Sequence, residues 1–143
     1  MKKKCCELVL VLSVVILPLL LLSCSSSGSG GGDAPGPGAP SLSNLSFPSE
    51  SYRGEMVVIS FDYSDSEGDI TMFYTMDTVG GVSFTDTFTA DETGISGTSG
   101  RVTVLHRTSS SASYGTHRIE IWVEDAGHHT SNRLTHDLEV IRI

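Results

Sequence analysis

The chain has 143 residues, 9 Lys+Arg against 17 Asp+Glu and a formal net charge of −8. Such an acidic surface repels phosphate backbones and anionic bilayers, which excludes nucleic acid as a partner and electrostatic adsorption as a route to a membrane. Cysteine is confined to Cys5, Cys6 and Cys24, so the folded part is held by its core and not by disulfides.

Lys2, Lys3 and Lys4 make a basic start, and Leu8–Leu22 is an apolar run of 15 residues broken only by Ser13 and Pro18. A spanning helix needs about 20 apolar residues. A short apolar core behind a basic start reads as a signal peptide over residues 1–23. The run closes on Leu21, Leu22, Ser23 and Cys24, a pattern that resembles the lipobox of bacterial lipoproteins. The resemblance implies cleavage before Cys24 and a diacylglycerol on its thiol. The rival readings are an uncleaved anchor and a plain, non-lipid cleavage site. The shortness of the run, its proline and the lack of a following basic cluster weigh against the anchor. Cleavage leaves six arginines, no lysine and sixteen carboxylates, a net charge of −10. The expected address is the bacterial cell envelope, with membrane attachment through the lipid. Ser25 stands where the family's inner-membrane retention signal has Asp, so the outer membrane is expected in a cell with two.

Residues 24–41 form the lipid-bearing cysteine and a tether. Ser25–Pro40 reads SSSGSGGGDAPGPGAP, too poor in apolar side chains to build a core. Its Gly/Ser half is flexible and its Pro half stiffer; a coil of this length spans about 20–25 Å.

Residues 42–143 form one all-β domain. Short alternating runs rich in Val, Ile, Thr, Phe and Tyr, split by Gly, Ser, Asp and Asn, predict seven strands. They are Leu42–Phe47, Glu55–Tyr63, Asp69–Met76, Val82–Phe88, Arg101–His106, His117–Glu124 and Arg133–Ile143. Parity places Val57, Ile59, Phe61 and Tyr63 inward on the second, and Ile70, Met72, Tyr74 and Met76 inward on the third. It places Val82, Phe84 and Phe88 on one side of the fourth, Val102 and Val104 inward on the fifth, and Ile119, Ile121 and Val123 inward on the sixth. On the seventh, Leu134, Leu138 and Val140 point inward and the pattern fails at Arg142. One apolar face per strand means two sheets on one core, as in an immunoglobulin-like β-sandwich.

Two blocks carry a closer resemblance. Val57–Ile70 (VVISFDYSDSEGDI) and Gly115–Asn132 (GTHRIEIWVEDAGHHTSN) resemble the strand–acidic turn–strand and the final hairpin of bacterial immunoglobulin-like, cadherin-like and PKD-like modules. His117 stands where the family often has Tyr, and Gly127 comes one residue early. The resemblance implies the fold and leaves function open, since such modules serve as adhesion units, spacers and enzyme appendages.

Three constellations are candidates for function. Asp65, Glu67 and Asp69 surround a glycine turn at the same end of the sandwich as Asp125 and Asn132. Hard oxygens converging there would suit Ca²⁺, although turns favour Asp and Gly anyway. Apart from Ca²⁺ no cofactor is expected. Trp122, Phe73 and Ile141 carry outward parity on three neighbouring strands and would make a contact face for self-association, an envelope protein or a glycan. His128 and His129 lie in the acidic loop, His106 and His117 at strand ends and His136 within a strand, without ligand spacing. No nucleophile elbow, His-Glu-x-x-His or phosphate loop is present, so catalysis is not expected. The function these features imply is a non-catalytic interaction or spacer module, with calcium-dependent ligand binding or adhesion as the alternative.

Overall fold

The computed structural model describes residues 37–142. The signal segment, Cys24 and nearly all of the tether lie outside the described residues.

The strands are β1 Ser41–Ser46, β2 Glu50–Tyr52, β3 Met56–Ser64, β4 Ile70–Val79, β5 Val82–Thr89, β6 Ser99–Arg107, β7 Gly115–Asp125 and β8 Leu134–Ile141. A one-turn helix, α1 Ala90–Thr93, joins β5 to β6 and is closed by a capping box between Thr89 and Glu92. The strands form two sheets, β1-β3-β6 and β2-β8-β7-β4-β5. Every pairing is antiparallel except that of β2 with β8. The fold is an immunoglobulin-like sandwich, with β2 an added strand the sequence reading lacked.

Alternation builds the core. On β3 Val57, Ile59, Phe61 and Tyr63 are buried, and on β7 His117, Ile119, Ile121, Val123 and Asp125. Leu138 and Val140 of β8, Val102 of β6 and Leu42 of β1 close it. Phe61 stacks on Phe73 at 5.3 Å between ring centroids, joining the two sheets at their centre.

β4 departs from the predicted parity. Ile70 pairs with Asp125 while Met72 pairs with Glu124, so β4 carries one extra residue there. The bulge keeps Ile70 inward but turns Phe73 and Thr75 into the core, fully buried and 4 % exposed respectively. Met72, Tyr74 and Met76 become half-buried. The expected outward place for Phe73 is therefore wrong: simple alternation carried across a bulge inverts every later side chain.

The sheets are unequal, five strands over three. The inner face of the outermost strand, β5, consequently lacks full cover. Val82 and Phe84 remain 55 % and 61 % exposed although their parity is inward.

A buried phenylalanine truncated to alanine costs about 3–5 kcal/mol, a large part of the about 5–15 kcal/mol that stabilises a domain. Phe73→Ala should therefore lower the denaturant midpoint far more than Trp122→Ala, whose side chain is only half-buried. The opposite ranking in urea unfolding would reinstate the simple alternation.

Candidate functional site

The acidic end is built by two loops that meet. The Ala126 N–H donates to the Asp69 carbonyl at 3.0 Å, tying the β7–β8 loop to the β3–β4 loop. Gly68, at φ +69°, lets the β3–β4 loop approach Gly97, whose carbonyl carbon would lie 3.1 Å from an added Cβ. Asp65 and Asp125 are 2 % and 3 % exposed, deeper than turn formers usually lie. Asp125 accepts from the His129 backbone N–H at 2.8 Å and pairs with its Nδ1 at 2.9 Å. Burial pushes the Asp125 carboxyl up, but hydrogen bonds from His129, its charge and the Gly127 N–H outweigh that and hold it below its usual value. Asp65 accepts the Asp69 N–H on Oδ2 at 2.9 Å, while its buried Oδ1 has no hydrogen-bond partner. Asp69 is exposed. Partial desolvation, then the charges of Asp65, Asp125 and Glu67, raise its carboxyl above the usual range.

Asp65, Asp69 and Asp125 therefore share one end, as expected, and Glu67 adds its charge nearby, but the five proposed ligands do not form one cage. Asn132 is spent on β1: its Oδ1 accepts the Leu42 N–H at 2.8 Å and its Nδ2 donates to the Leu42 carbonyl at 3.0 Å. Glu67 accepts from the Ser66 hydroxyl. Among the described residues no group of three or more His, Cys, Asp or Glu is arranged to hold a metal ion. The orphaned Asp65 Oδ1 is the one feature that fits a cation.

The aromatic face is also reshaped. With Phe73 in the core, Trp122 instead stacks on Tyr74, its cross-strand partner, at 5.1 Å and 4° between ring planes. Arg133 lies 4.0 Å over the indole and pairs with Glu120, covering part of the face. Ile141 is not part of this patch. It lies beside Tyr52 and Tyr114 at the far end of β8, roughly 25 Å along the sheet at about 3.4 Å per residue.

The histidines are each engaged with an oxygen or held at the core. His128 pairs with Glu124 at 2.7 Å, which raises its imidazole above the usual value, and His129 pairs with Asp125, so the two do not converge. His136 contacts the Pro48 carbonyl at 3.1 Å. His117 is buried, with Nδ1 at 2.9 Å from Asp77 and Nε2 at 2.9 Å from the Ser113 carbonyl. It clamps the β6–β7 loop to β4. Burial pushes His106 down.

Two places went unread in the sequence. One is a cavity of about 330 Å³ beneath the β5 margin, bordered by Asp77, Phe84, His106, Arg107 and His117. Its signal was the Val82, Phe84, Phe88 stripe, but only the strand count of the opposing sheet shows that the stripe is uncovered. The other is a recess of about 380 Å³ lined by Tyr52, Arg53, Tyr114, Ile141 and Arg142. Residues from three chain segments meet there, with no local pattern to mark it.

The two carboxylate shifts predict opposite responses to pH. The raised Asp69 value means that ionised Asp69 disfavours the folded state, a loss that grows as pH rises through its folded pKa and is absent below the unfolded one. Asp69→Asn should therefore raise the melting temperature at pH 7 in chelator, with the gain fading in acid. Asp125→Ala should cost about 1–3 kcal/mol by removing the buried, charged acceptor of the His129 donors, and its effect should shrink as pH falls, because the depressed carboxyl stabilises only when ionised. Destabilisation by Asp69→Asn in chelator would refute the repulsion.

No protein-family model and no curated protein matches the chain. Solved structures do. The PKD domain of an M14-like peptidase from a Thermoplasmatales archaeon superposes with a TM-score of 0.52 at 19 % identity, over 73 % of this chain and 94 % of that one. A Niemann-Pick type C2 protein from the Japanese carpenter ant gives 0.55 at 9 % identity, over 72 % and 93 %. Spo0M, the sporulation control protein of Bacillus subtilis, gives 0.50 at 10 % identity, over 74 % and 51 %. At these identities the likeness is one of fold, that of an immunoglobulin-like β-sandwich.

Proposed function

We propose that the mature chain begins at lipid-bearing Cys24 and acts, without catalysis, as an interaction or spacer module of the bacterial cell envelope, at the outer membrane where there are two. The lipobox pattern supports the address. The observation that carries the interaction reading is the β5 margin. β5 ends its sheet, has no Pro or Lys and only one charge, Asp86, to blunt it, and presents Val82 and Phe84 largely exposed beside an open backbone edge. Edges of this kind pair with another strand unless protected. A second copy of the chain is the simplest partner, since two β5 strands related by a two-fold axis would continue the sheet and cover each other's apolar margin. An envelope protein or a glycan seated there is the other form of the same reading.

The second reading, calcium-dependent binding or adhesion, is favoured by Asp65 Oδ1. A buried carboxylate oxygen without a donor is costly, and a hard cation would satisfy it while cancelling the repulsion on Asp69. Asp65 would supply the first protein oxygen, and Asp69 and Glu67 would have to move to add theirs, since no three such groups are preset for a metal among the described residues. Asp125 and Asn132, already committed, would not.

Three measurements test these readings. Cys24→Ala should abolish incorporation of a fatty-acid probe and processing before residue 24; persistent labelling would rule out the anchor. Phe84→Ser should shift the sedimentation of the detergent-solubilised full chain from dimer to monomer; a wild-type monomer at all concentrations would leave the spacer role or a foreign partner. Millimolar Ca²⁺ should raise the wild-type melting temperature over chelator and leave Asp65→Asn with Asp69→Asn unmoved if the second reading holds. No rise in the wild type would eliminate it.

A further inference from the structure

The structure assigns a second binding site, for an oxyanion, to the recess formed by Arg53, Arg142, Tyr114 and Tyr52, at the end of the sandwich opposite the acidic loops. It is independent of the β5 margin; only the direction in which it would face rests on the proposed lipid anchor.

The site gathers positive charge in a chain that has little. The six arginines after Cys24 are Arg53, Arg101, Arg107, Arg118, Arg133 and Arg142. Three are paired with carboxylates: Arg101 with Asp62 at 2.8 Å, and Arg118 and Arg133 with the one carboxylate of Glu120 at 3.4 and 3.0 Å. Arg107 donates Nε to the Met56 sulfur at 3.3 Å, away from the recess. Arg53 and Arg142 pair with no carboxylate among the described residues, yet they stand together. The Arg53 guanidinium carbon lies 3.6 Å from the centroid of the Tyr114 ring and that of Arg142 4.5 Å from the same centroid. Their separation cannot exceed the sum of those distances. An oxyanion held by two guanidiniums, each at an N–H···O distance of about 2.8 Å, places their carbons within that reach.

Contact of each guanidinium with the Tyr114 ring offsets part of the repulsion between them. Neither side chain makes a hydrogen bond or ion pair among the described residues, so their N–H donors remain for an oxyanion. The nearest acidic residue in sequence, Glu55, is turned to its own turn: its Oε2 accepts the Tyr52 N–H at 2.7 Å and the Ser51 hydroxyl at 3.2 Å. Among the described residues no carboxylate lines the recess. Tyr52 and Tyr114, each 42 % exposed, and half-buried Ile141 supply flat apolar walls. The matching ligand is a carboxylate or phosphate group borne on a body that can lie against an aromatic ring, such as an acidic sugar.

The position favours a ligand beyond the anchoring membrane. The chain enters the domain at Ser41, opposite Ser64 and beside Asn132, whereas the recess lies where β7 begins and β8 ends. An anionic group in the recess would be presented at the end away from the point of entry.

The test uses the full chain in a neutral detergent, with inorganic phosphate and galacturonate as separate probes at constant low ionic strength. The readout is the arginine Nε–Hε resonances. Saturable shifts of the Arg53 and Arg142 signals, with the Arg101 and Arg133 signals still, are expected for at least one probe. The phosphate and carboxylate arms tell the two sources of the anion apart. Arg53→Gln and Arg142→Gln should each raise Kd at least tenfold, Arg53→Lys should recover only part, and Arg107→Gln should change nothing. Melting temperatures near wild type would show that the variants fold. Absence of saturation with both probes, or unchanged affinity in Arg53→Gln and Arg142→Gln, would overturn the assignment.

Discussion

One extra residue in β4 decides which side chains this sandwich buries. Ile70 and Phe73 are three positions apart and cannot share a face of a regular strand. The bulge between Ile70 and Met72 lets both point inward. Phe73 then meets Phe61 and closes the two sheets on each other, Asp77 reaches inward to His117, and Tyr74 goes outward to Trp122. Even the β5 margin follows from it, because Phe88 pairs with Phe73 and fixes which face of β5 looks into the molecule.

The bulge sits beside the loop with the most buried charge. Asp65 caps the Asp69 N–H and Asp125 holds the His129 N–H, so both carboxylates do the work of backbone partners in tight turns. That role accounts for Asp125 fully. It accounts for only one oxygen of Asp65 and leaves Asp69 repelled by its neighbours. The same end thus contains one settled carboxylate, one with an unpaired buried oxygen, and one crowded by like charge.

Fold class and most strand positions were legible because alternation on β3, β7 and β8 is unbroken and each strand has one wet face. Phe73 was misplaced because a bulge is a property of pairing, visible only when β4 is set against β7. Asn132 was assigned to a site by its loop, whereas its amide completes the first strand. The β5 stripe was legible as a stripe, but its exposure depends on the width of the opposite sheet. Arg53, Tyr114 and Arg142 come together through tertiary packing of β2, the start of β7 and the end of β8, a convergence that no spacing in the chain announces.

The run of β1 and β8 gives the domain a mechanical direction. β1 starts at the acidic end and β8 finishes beside Arg53 and Tyr114, so a pull between the point of entry and a ligand in that recess acts along the strands. The ladders of β1 on β3 and of β8 on β7 have hydrogen bonds perpendicular to the strand axis. Such a load strains their rungs together in shear and does not unzip them singly. A small domain that is only marginally stable at equilibrium can in this geometry transmit force, with its lifetime under tension set by the rate of unfolding and not by the free energy of the fold.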